Sequence, residues 1–498
     1  MSRFKASIYN YISNSINAIV MLINGIVLVP LYFQYMSLST YGAWLATGNV
    51  VAMLGMLESG LSIVITQKLA VALKSDDSKL FSLLSGANIL SAIIITSVLF
   101  LIGLVLSIFV ADLINVSGDI RQEITIAFII ALAGTGLSVL VSLFGAFPQV
   151  WQETKTVGLI GVIVNIVGIL STIIYLLAGF GVIALALAYF TRSFLNLIGQ
   201  GVWILLKWKK CQYPKPQYDL NVVNDLLKDC FYPFLSKISS VITNNSQSFI
   251  IAVFINPGMA AIYDITQKVT IILSNFVNMT NVSFFALYSL TFASKNKTEI
   301  NSLIKNVLNL FAFLLFTALL YATVFTRTFV HFWVGLDKYG GDILLVIIVC
   351  AVLISQIKQY TNILLQTGGM IAKSSKIDIL SMFIYLLILM SIIKHAQIYA
   401  IPIATFVSGV FFIGWYLRLL KTNLLIDVRL ILKTILKFLL VTTPFAILHF
   451  VLNVDLLNIK TLLIYGFSFS ILYLIVLLYT NKAFVTQLLL RIKNGQTK

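Results

Sequence analysis

The hydrophobic residues of this chain form long apolar blocks that are separated by short polar breaks. An α-helix needs about 20 apolar residues to cross a bilayer, and the blocks have roughly that length. We therefore predict about fourteen transmembrane helices, with boundaries good to a few residues. The predicted helices are 8–35, 41–66, 81–110, 122–148, 157–178, 181–206, 233–255, 260–289, 302–326, 342–366, 378–394, 398–418, 433–453 and 460–480.

Composition supports the same class of protein. Hydrophobic residues make up 59% of the 498 positions and charged residues only 10%, whereas a soluble domain carries roughly 25% charged residues. Most of the surface must therefore face something other than water. The sequence predicts an all-α polytopic membrane protein without a sizeable soluble domain.

The net charge of +17 would suggest a nucleic-acid partner in a soluble protein. Here the basic residues are distributed unevenly between alternate loops, with 24 Lys and Arg on one predicted side and 5 on the other. Basic loops stay in the cytoplasm, so we predict that both termini are cytoplasmic. The five residues on the opposite side are Arg121, Arg327, Lys338, Lys394 and Lys460.

The longest polar break suggests how the chain is organised. Residues 207–232 carry Pro214, Pro216 and many charges, and they separate two groups of six predicted helices. We expect a six-helix bundle over 1–206, a basic cytoplasmic linker over 207–232 and a second six-helix bundle over 233–418. An extra helix pair with a cytoplasmic tail follows over 419–498. Two halves that start in the same orientation fit a parallel repeat.

Several ionisable residues lie within predicted helices, where charge is costly and usually faces a bundle interior or an aqueous cavity. Asp264 and Lys268 are four residues apart, so they could simply neutralise each other. Lys237 is close enough to a helix end to reach the interface. The full set is Glu58, Arg192, Lys237, Asp264, Lys268 and Lys358.

Asn, Gln and Ser extend the same helix faces at helical spacing. One such residue usually forms a hydrogen bond between helices, but aligned stripes on several helices indicate a water-filled, cationic cavity. Lys and Arg pair with pyrophosphate, and amides bind hydroxyls, so this chemistry suits an amphiphile that carries phosphate and sugar. The candidate substrate-binding residues are Arg192, Lys268, Lys358, Lys237, Asn14, Asn17, Asn244 and Asn196.

Arg192 is the strongest candidate, because it lies near the middle of its predicted helix and offers a bidentate fork to phosphate oxygens. We predict that Arg192, Lys268 and Lys358 converge on one cavity. Glu58 is a candidate coupling carboxylate, since burial would favour its protonation. The alternative is that Glu58 and Arg192 form a structural ion pair.

Short motifs near the N-terminus resemble those of a known family. The segments 28–32 (LVPLY), 41–44 (YGAW), 57–61 (LESGL) and 67–70 (QKLA) are similar to the start of polysaccharide-biosynthesis flippases. These are the O-antigen and capsule translocases of the multidrug/oligosaccharidyl-lipid/polysaccharide exporter superfamily. The segments 249–251 and 261–263 resemble the opening of the family's second half.

The resemblance implies a MATE-like, V-shaped pair of six-helix bundles in the bacterial inner membrane that works by alternating access. It implies an undecaprenyl-pyrophosphate-linked oligosaccharide as cargo, H⁺ or Na⁺ as candidate coupling ions at Glu58 and Asp264, and a polysaccharide polymerase and chain-length regulator as candidate partners. The family often has Asp where this chain has Glu58, and an acidic–basic pair where it has Gln247 and Ser248.

Other functions stay open. An ion-coupled multidrug antiporter shares the architecture, although the cationic balance disfavours it, and a lipid II flippase also carries a pyrophosphate lipid. A membrane glycosyltransferase or polymerase needs larger outer loops than 111–121 and 327–341. We find no metal-ligand cluster, nucleophile triad or phosphate-binding glycine loop, and His331, His395 and His449 form no constellation. We therefore predict a transporter without cofactor or metal, not an enzyme.

The basic asymmetry generates a direct prediction of topology. Reporter fusions should give a periplasmic signal at Asp119 and Lys338 and a cytoplasmic signal at the C-terminus, because basic loops resist translocation. A cytoplasmic signal at Lys338 would refute the assignment.

Overall fold

A computed structural model describes residues 25–58, 60–151, 153–293, 296–424, 426–452 and 456–480. Throughout these ranges the regular structure is helical, and no strand forms. This confirms the predicted all-α class. The chain divides into two compact units, the first comprising residues up to Ile262 together with Asp378–Phe383, and the second comprising Tyr263–Ile377 and the residues from Ile384 onward.

The first unit is built on long apolar helices that share one core. Ser37 caps α2 by accepting from the Thr40 amide (3.1 Å), and Asp77 caps α4 by accepting from Leu80 (2.9 Å). Its helices are α1 (Gly25–Tyr35), α2 (Leu38–Gly55), α3 (Leu61–Lys74), α4 (Ser78–Leu113), α5 (Asp119–Phe144), α6 (Ala146–Val150), α7 (Thr154–Leu177), α8 (Ile183–Lys210), α9 (Leu220–Asp229), α10 (Phe231–Asn245) and α11 (Gln247–Phe254).

The second unit packs a separate core around the buried, hydrogen-bonded hydroxyls of Tyr288 and Tyr360 (3.1 Å). The boundary between the two units falls inside α12. The helices of the second unit are α12 (Pro257–Ser283), α13 (Phe285–Ala293), α14 (Lys297–Trp333), α15 (Asp342–Thr367), α16 (Ile371–Ala396), α17 (Ala400–Asn423), α18 (Val428–Leu452) and α19 (Ile459–Thr480).

Four predicted helices are not continuous. The predicted helix 41–66 is interrupted by a 3₁₀ turn, Met56–Glu58, and by Gly60 with φ +102°, a conformation that only glycine adopts without strain. The predicted helix 233–255 breaks at Ser246, whose hydroxyl donates to the Ile242 carbonyl, and short polar side chains of this kind compete for backbone hydrogen bonds. The predicted helices 122–148 and 260–289 also divide, at Gly145 and Phe284.

The predicted linker 207–232 is more ordered than the sequence suggested. Helix α8 continues to Lys210, and α9 forms where Asp219 accepts from the Asn221 amide (2.8 Å). Helix α9 is stabilised by burying Val223 and Leu226 in the first core. The linker prediction therefore missed a helix, because its many polar residues concealed the short amphipathic pattern.

Eight helical segments within the described residues are long and apolar enough to cross a membrane, and the described part of α1 is a shorter apolar helix. One of the eight covers 371–423 and contains both α16 and α17. This supports a multi-pass membrane protein. The predicted number of fourteen spanning helices is not confirmed by this criterion.

Helix packing inside the first unit depends on small residues at close crossings, as in other membrane proteins. A Cβ atom on Gly42 would lie 1.7 Å from the Pro257 carbonyl oxygen, and one on Gly86 would lie 1.9 Å from that of Gln217. Large apolar side chains on the outer faces, such as Leu101 and Ile108 on α4, are two-thirds exposed. Close backbone contacts therefore determine the packing inside the unit, while apolar side chains that suit lipid cover its outer faces.

This packing predicts opposite effects for two glycines on α2. Gly42→Ala should destabilise the protein by about 2 kcal/mol or more, because the methyl group overlaps a backbone oxygen that cannot rotate away. Gly48→Ala is the matched control: its Cβ would meet nothing within 4 Å, and alanine favours helix by up to about 1 kcal/mol. Thermal unfolding of the purified variants should show a lower melting temperature for Gly42→Ala alone.

Candidate functional site

A cavity of about 150 Å³ lies within the first unit beside Arg192. Four helices supply its walls: α1, α2, α7 and α8. The lining combines aromatic rings, small residues and a few polar groups, with a single charged side chain among them. It consists of Tyr32, Trp44, Asn165, Gly168, Thr172, Leu185, Ala188, Tyr189 and Arg192.

The Arg192 side chain is held in a defined position. Its stem lies against Gly168, where an added Cβ would come within 3.2 Å of the Arg192 Cδ. Its guanidinium carbon lies 5.3 Å from the centroid of the Tyr189 ring, a cation–π contact. In the described part of the chain Arg192 forms no ion pair. A half-buried cation with this surrounding is able to accept an anion from outside the protein.

The ring of Tyr189 is itself fixed by a neighbouring helix. The Tyr189 hydroxyl lies 3.2 Å from Thr135 Oγ1, and Thr135 also donates to the Ala131 carbonyl (2.9 Å). On the α7 wall, Thr172 donates to the Gly168 carbonyl (2.8 Å). These bonds hold the walls of the cavity in place without using the guanidinium.

Glu58 occupies a different place in the first unit, in the turn between α2 and α3. Ser142 donates to its Oε1 (2.7 Å), while its Oε2 is buried and has no hydrogen-bond partner within the described residues. Ser62 and, more weakly, Lys237 also favour the charged form of this carboxylate. The structural ion pair between Glu58 and Arg192, which the sequence left open, is not formed.

The remaining candidate residues are distributed over both units. Lys268 and Asp264 form an ion pair (3.0 Å) in the second unit, so they do neutralise each other. Lys358, also in the second unit, is half-buried, whereas Lys237 is exposed. That Arg192, Lys268 and Lys358 share one cavity stays a prediction.

The structure describes only one of the candidate asparagine side chains. Asn196 accepts from Gln200 on the next turn of α8 (2.9 Å), which occupies its oxygen inside the helix. Asn14 and Asn17 lie outside the described residues. Asn244 belongs to α10, but its side chain is likewise outside the described part.

Sequence reasoning missed most of the cavity wall. Its aromatic members, Tyr32, Trp44 and Tyr189, look like core or interface residues in a sequence that is 12% aromatic. Two regularities could have identified the wall. Tyr189 precedes Arg192 by three residues, and Asn165, Gly168 and Thr172 follow helical spacing on α7.

Residues 5–289 match the family described as polysaccharide biosynthesis protein. No curated protein sequence matches the chain.

Solved structures resemble this chain over most of their length. The lipid II flippase MurJ in an inward closed conformation has 15% sequence identity and a TM-score of 0.70, covering 96% of this chain and 100% of that one. An inward-facing multidrug resistance MATE family transporter of the MOP superfamily has 13% identity and a TM-score of 0.64, covering 82% and 95%.

A MOP superfamily transporter from Pyrococcus furiosus Vc1 (DSM3638) has 14% identity and a TM-score of 0.58, covering 85% and 96%. At these identities the likeness shows a shared fold, that of MATE and MurJ transporters. The family match is the more specific finding, since it covers more than half of the 498 residues. The chain therefore belongs to the polysaccharide biosynthesis protein family.

Proposed function

We propose that this protein is a flippase that moves an undecaprenyl-pyrophosphate-linked oligosaccharide, of O-antigen or capsule type, from the inner to the outer leaflet of the bacterial inner membrane. The family and the transporter fold support the coarse function. The observation that carries the choice of cargo is the cavity around Arg192.

The charge of the cavity favours an anionic cargo. Arg192 is permanently charged and presents parallel N–H donors that match phosphate oxygens. A carboxylate partner would have cancelled this charge, yet among the described residues none pairs with it. A site for cationic drugs needs the opposite polarity, so the cavity disfavours a multidrug antiporter.

The size and the walls of the cavity suit part of the headgroup. About 150 Å³ is less than the roughly 300–1,000 Å³ of pockets that enclose drug-sized ligands. The cavity therefore takes a phosphate group or a single sugar ring, while the rest of the glycan extends beyond it. Tyr32, Trp44 and Tyr189 offer apolar ring faces, and Asn165 offers a polar side chain for hydroxyls.

Coupling is assigned to Glu58 rather than Asp264. Asp264 already has Lys268 as a partner (3.0 Å), whereas one oxygen of Glu58 is buried without a partner in the described structure. H⁺ and Na⁺ are both candidates for the coupling ion. Binding of a cation there would alter the turn between α2 and α3, which is a natural hinge for alternating access.

A lipid II flippase is the second candidate, since lipid II also presents a pyrophosphate and the MurJ structure is similar over its whole length. The two cargoes share the group that Arg192 would bind. We place the protein in the inner membrane with both termini in the cytoplasm, and a polymerase and a chain-length regulator are the expected partners.

Substitution of Arg192 tests the proposal. Arg192→Ala should lower surface polysaccharide at least tenfold at normal protein abundance, because hydrogen bonds to a charged group are worth about 1.5–3 kcal/mol. Arg192→Lys should restore part of the export, since lysine supplies charge without the fork. The measurement is surface polysaccharide per membrane-inserted protein, by gel and immunoblot.

Arg121→Ala is the matched control, because Arg121 is exposed and paired with Asp112 (2.8 Å); export should stay normal. Wild-type export by Arg192→Ala at native expression would contradict the proposal. Loss of cell-wall growth with intact surface polysaccharide would instead identify lipid II as the cargo.

A further inference from the structure

Helix α9 and the first residue of α10 present a row of apolar side chains that are about half exposed or more. Leu220, Leu227 and Phe231 are 69%, 45% and 54% exposed. They are separated by seven and four residues, so they lie on one face of the helical path. Exposed apolar rows of this kind mark a contact surface.

The other faces of α9 have distinct roles. Val223 and Leu226 are buried in the core of the first unit, which holds the helix against α3 and α4. Asn221, Asp225 and Lys228 form a third, exposed polar face. A helix with one face on protein, one apolar and one polar is suited to the plane of a membrane surface.

The segment 211–219, which leads from α8 to α9, holds the start of α9 close to the N-terminus of α4. Ser82, in the second turn of α4, donates to the Lys215 carbonyl (2.5 Å), and the Gln217 amide donates to the Ser82 carbonyl (3.1 Å). Gly86 permits this contact, because any side chain would overlap Gln217. The chain therefore crosses α4 within two turns of its N-terminus, which in a membrane would lie close to the interface.

An aromatic cluster marks the same level. The Tyr213 ring stacks on Trp151 with centroids 5.3 Å apart, and Trp208 lies 5.7 Å from Tyr213. Trp and Tyr concentrate at the boundary between lipid and water. Tyr213 is seven residues before α9, so the helix starts beside this boundary.

The basic residues at the end of α8 and in the segment before α9 suit lipid headgroups. Lys209, Lys210 and Lys215 are exposed, and in the described residues they form no ion pair. Of the acidic residues nearby, Asp229 pairs with Lys68 (2.5 Å) and Asp225 with Lys228 (3.1 Å), while Asp219 accepts from the Asn221 amide (2.8 Å). Free basic side chains at a membrane surface attract anionic headgroups.

We propose that α9 is an interfacial helix that binds the anionic lipid surface on the cytoplasmic side. Leu220, Leu227 and Phe231 insert among the acyl chains just below the headgroups. Lys209, Lys210 and Lys215 contact headgroup phosphates. This surface is separate from the Arg192 cavity, and it does not depend on the identity of the cargo.

Site-directed fluorescence on the full-length protein in nanodiscs tests the depth. With Cys211, Cys230 and Cys350 replaced by Ala, a fluorophore is attached at Leu227→Cys or, as matched control two residues away, at Asp225→Cys. In bilayers that contain doxyl-labelled lipid, we expect at least threefold stronger quenching at 227 than at 225. Equally weak quenching at both positions would overturn the proposal and indicate water or a protein partner there.

The headgroup contact has its own test. Raising phosphatidylglycerol from zero to about a third of a phosphatidylcholine bilayer should increase quenching at 227. In the variant Lys209→Gln/Lys210→Gln/Lys215→Gln this increase should disappear. An increase of the same size in the triple variant, or no increase in the wild type, would refute the role of the lysines.

Discussion

The high cost of charge at membrane depth is the constraint on which this structure depends. Within the second unit, Lys268 is neutralised by Asp264. Arg192 differs, because the described structure gives it a ring and a glycine but no counter-ion. In the function proposed above, a charge maintained in this way is a preformed site for an anion, and its cost would be offset when the ligand binds.

The same constraint explains the packing around the site. Helices in lipid gain little from burying apolar side chains against each other, so they associate through close backbone contact. Gly42 and Gly86 provide such contacts within the first unit. Because Gly168 has no side chain, the Arg192 stem packs directly against it. Small residues thus build both the fold and the cavity, which leaves aromatic rings free to form the walls.

The sequence predicted the helical class and the place of each long helix well, because apolar blocks of membrane length have no other stable structure in lipid. It predicted breaks poorly: the turn at Glu58 depends on Gly60 with positive φ, and a single glycine does not identify itself as a break. Hydropathy also concealed α9, whose buried face is only Val223 and Leu226. Arg192 was identifiable, since an isolated charge in an apolar block is conspicuous. Its aromatic walls were not, because they depend on how four helices are arranged.

The most direct test of the central claim is binding of undecaprenyl pyrophosphate to the purified protein, measured by native mass spectrometry for wild type, Gly168→Leu and Gly201→Leu. Gly168→Leu keeps the charge but pushes the Arg192 stem from its place, whereas a Cβ atom on Gly201 meets nothing within 4 Å. If Arg192 anchors the pyrophosphate, Gly168→Leu, while still folded, should bind at least tenfold more weakly than both wild type and Gly201→Leu. Equal binding by all three proteins would contradict it.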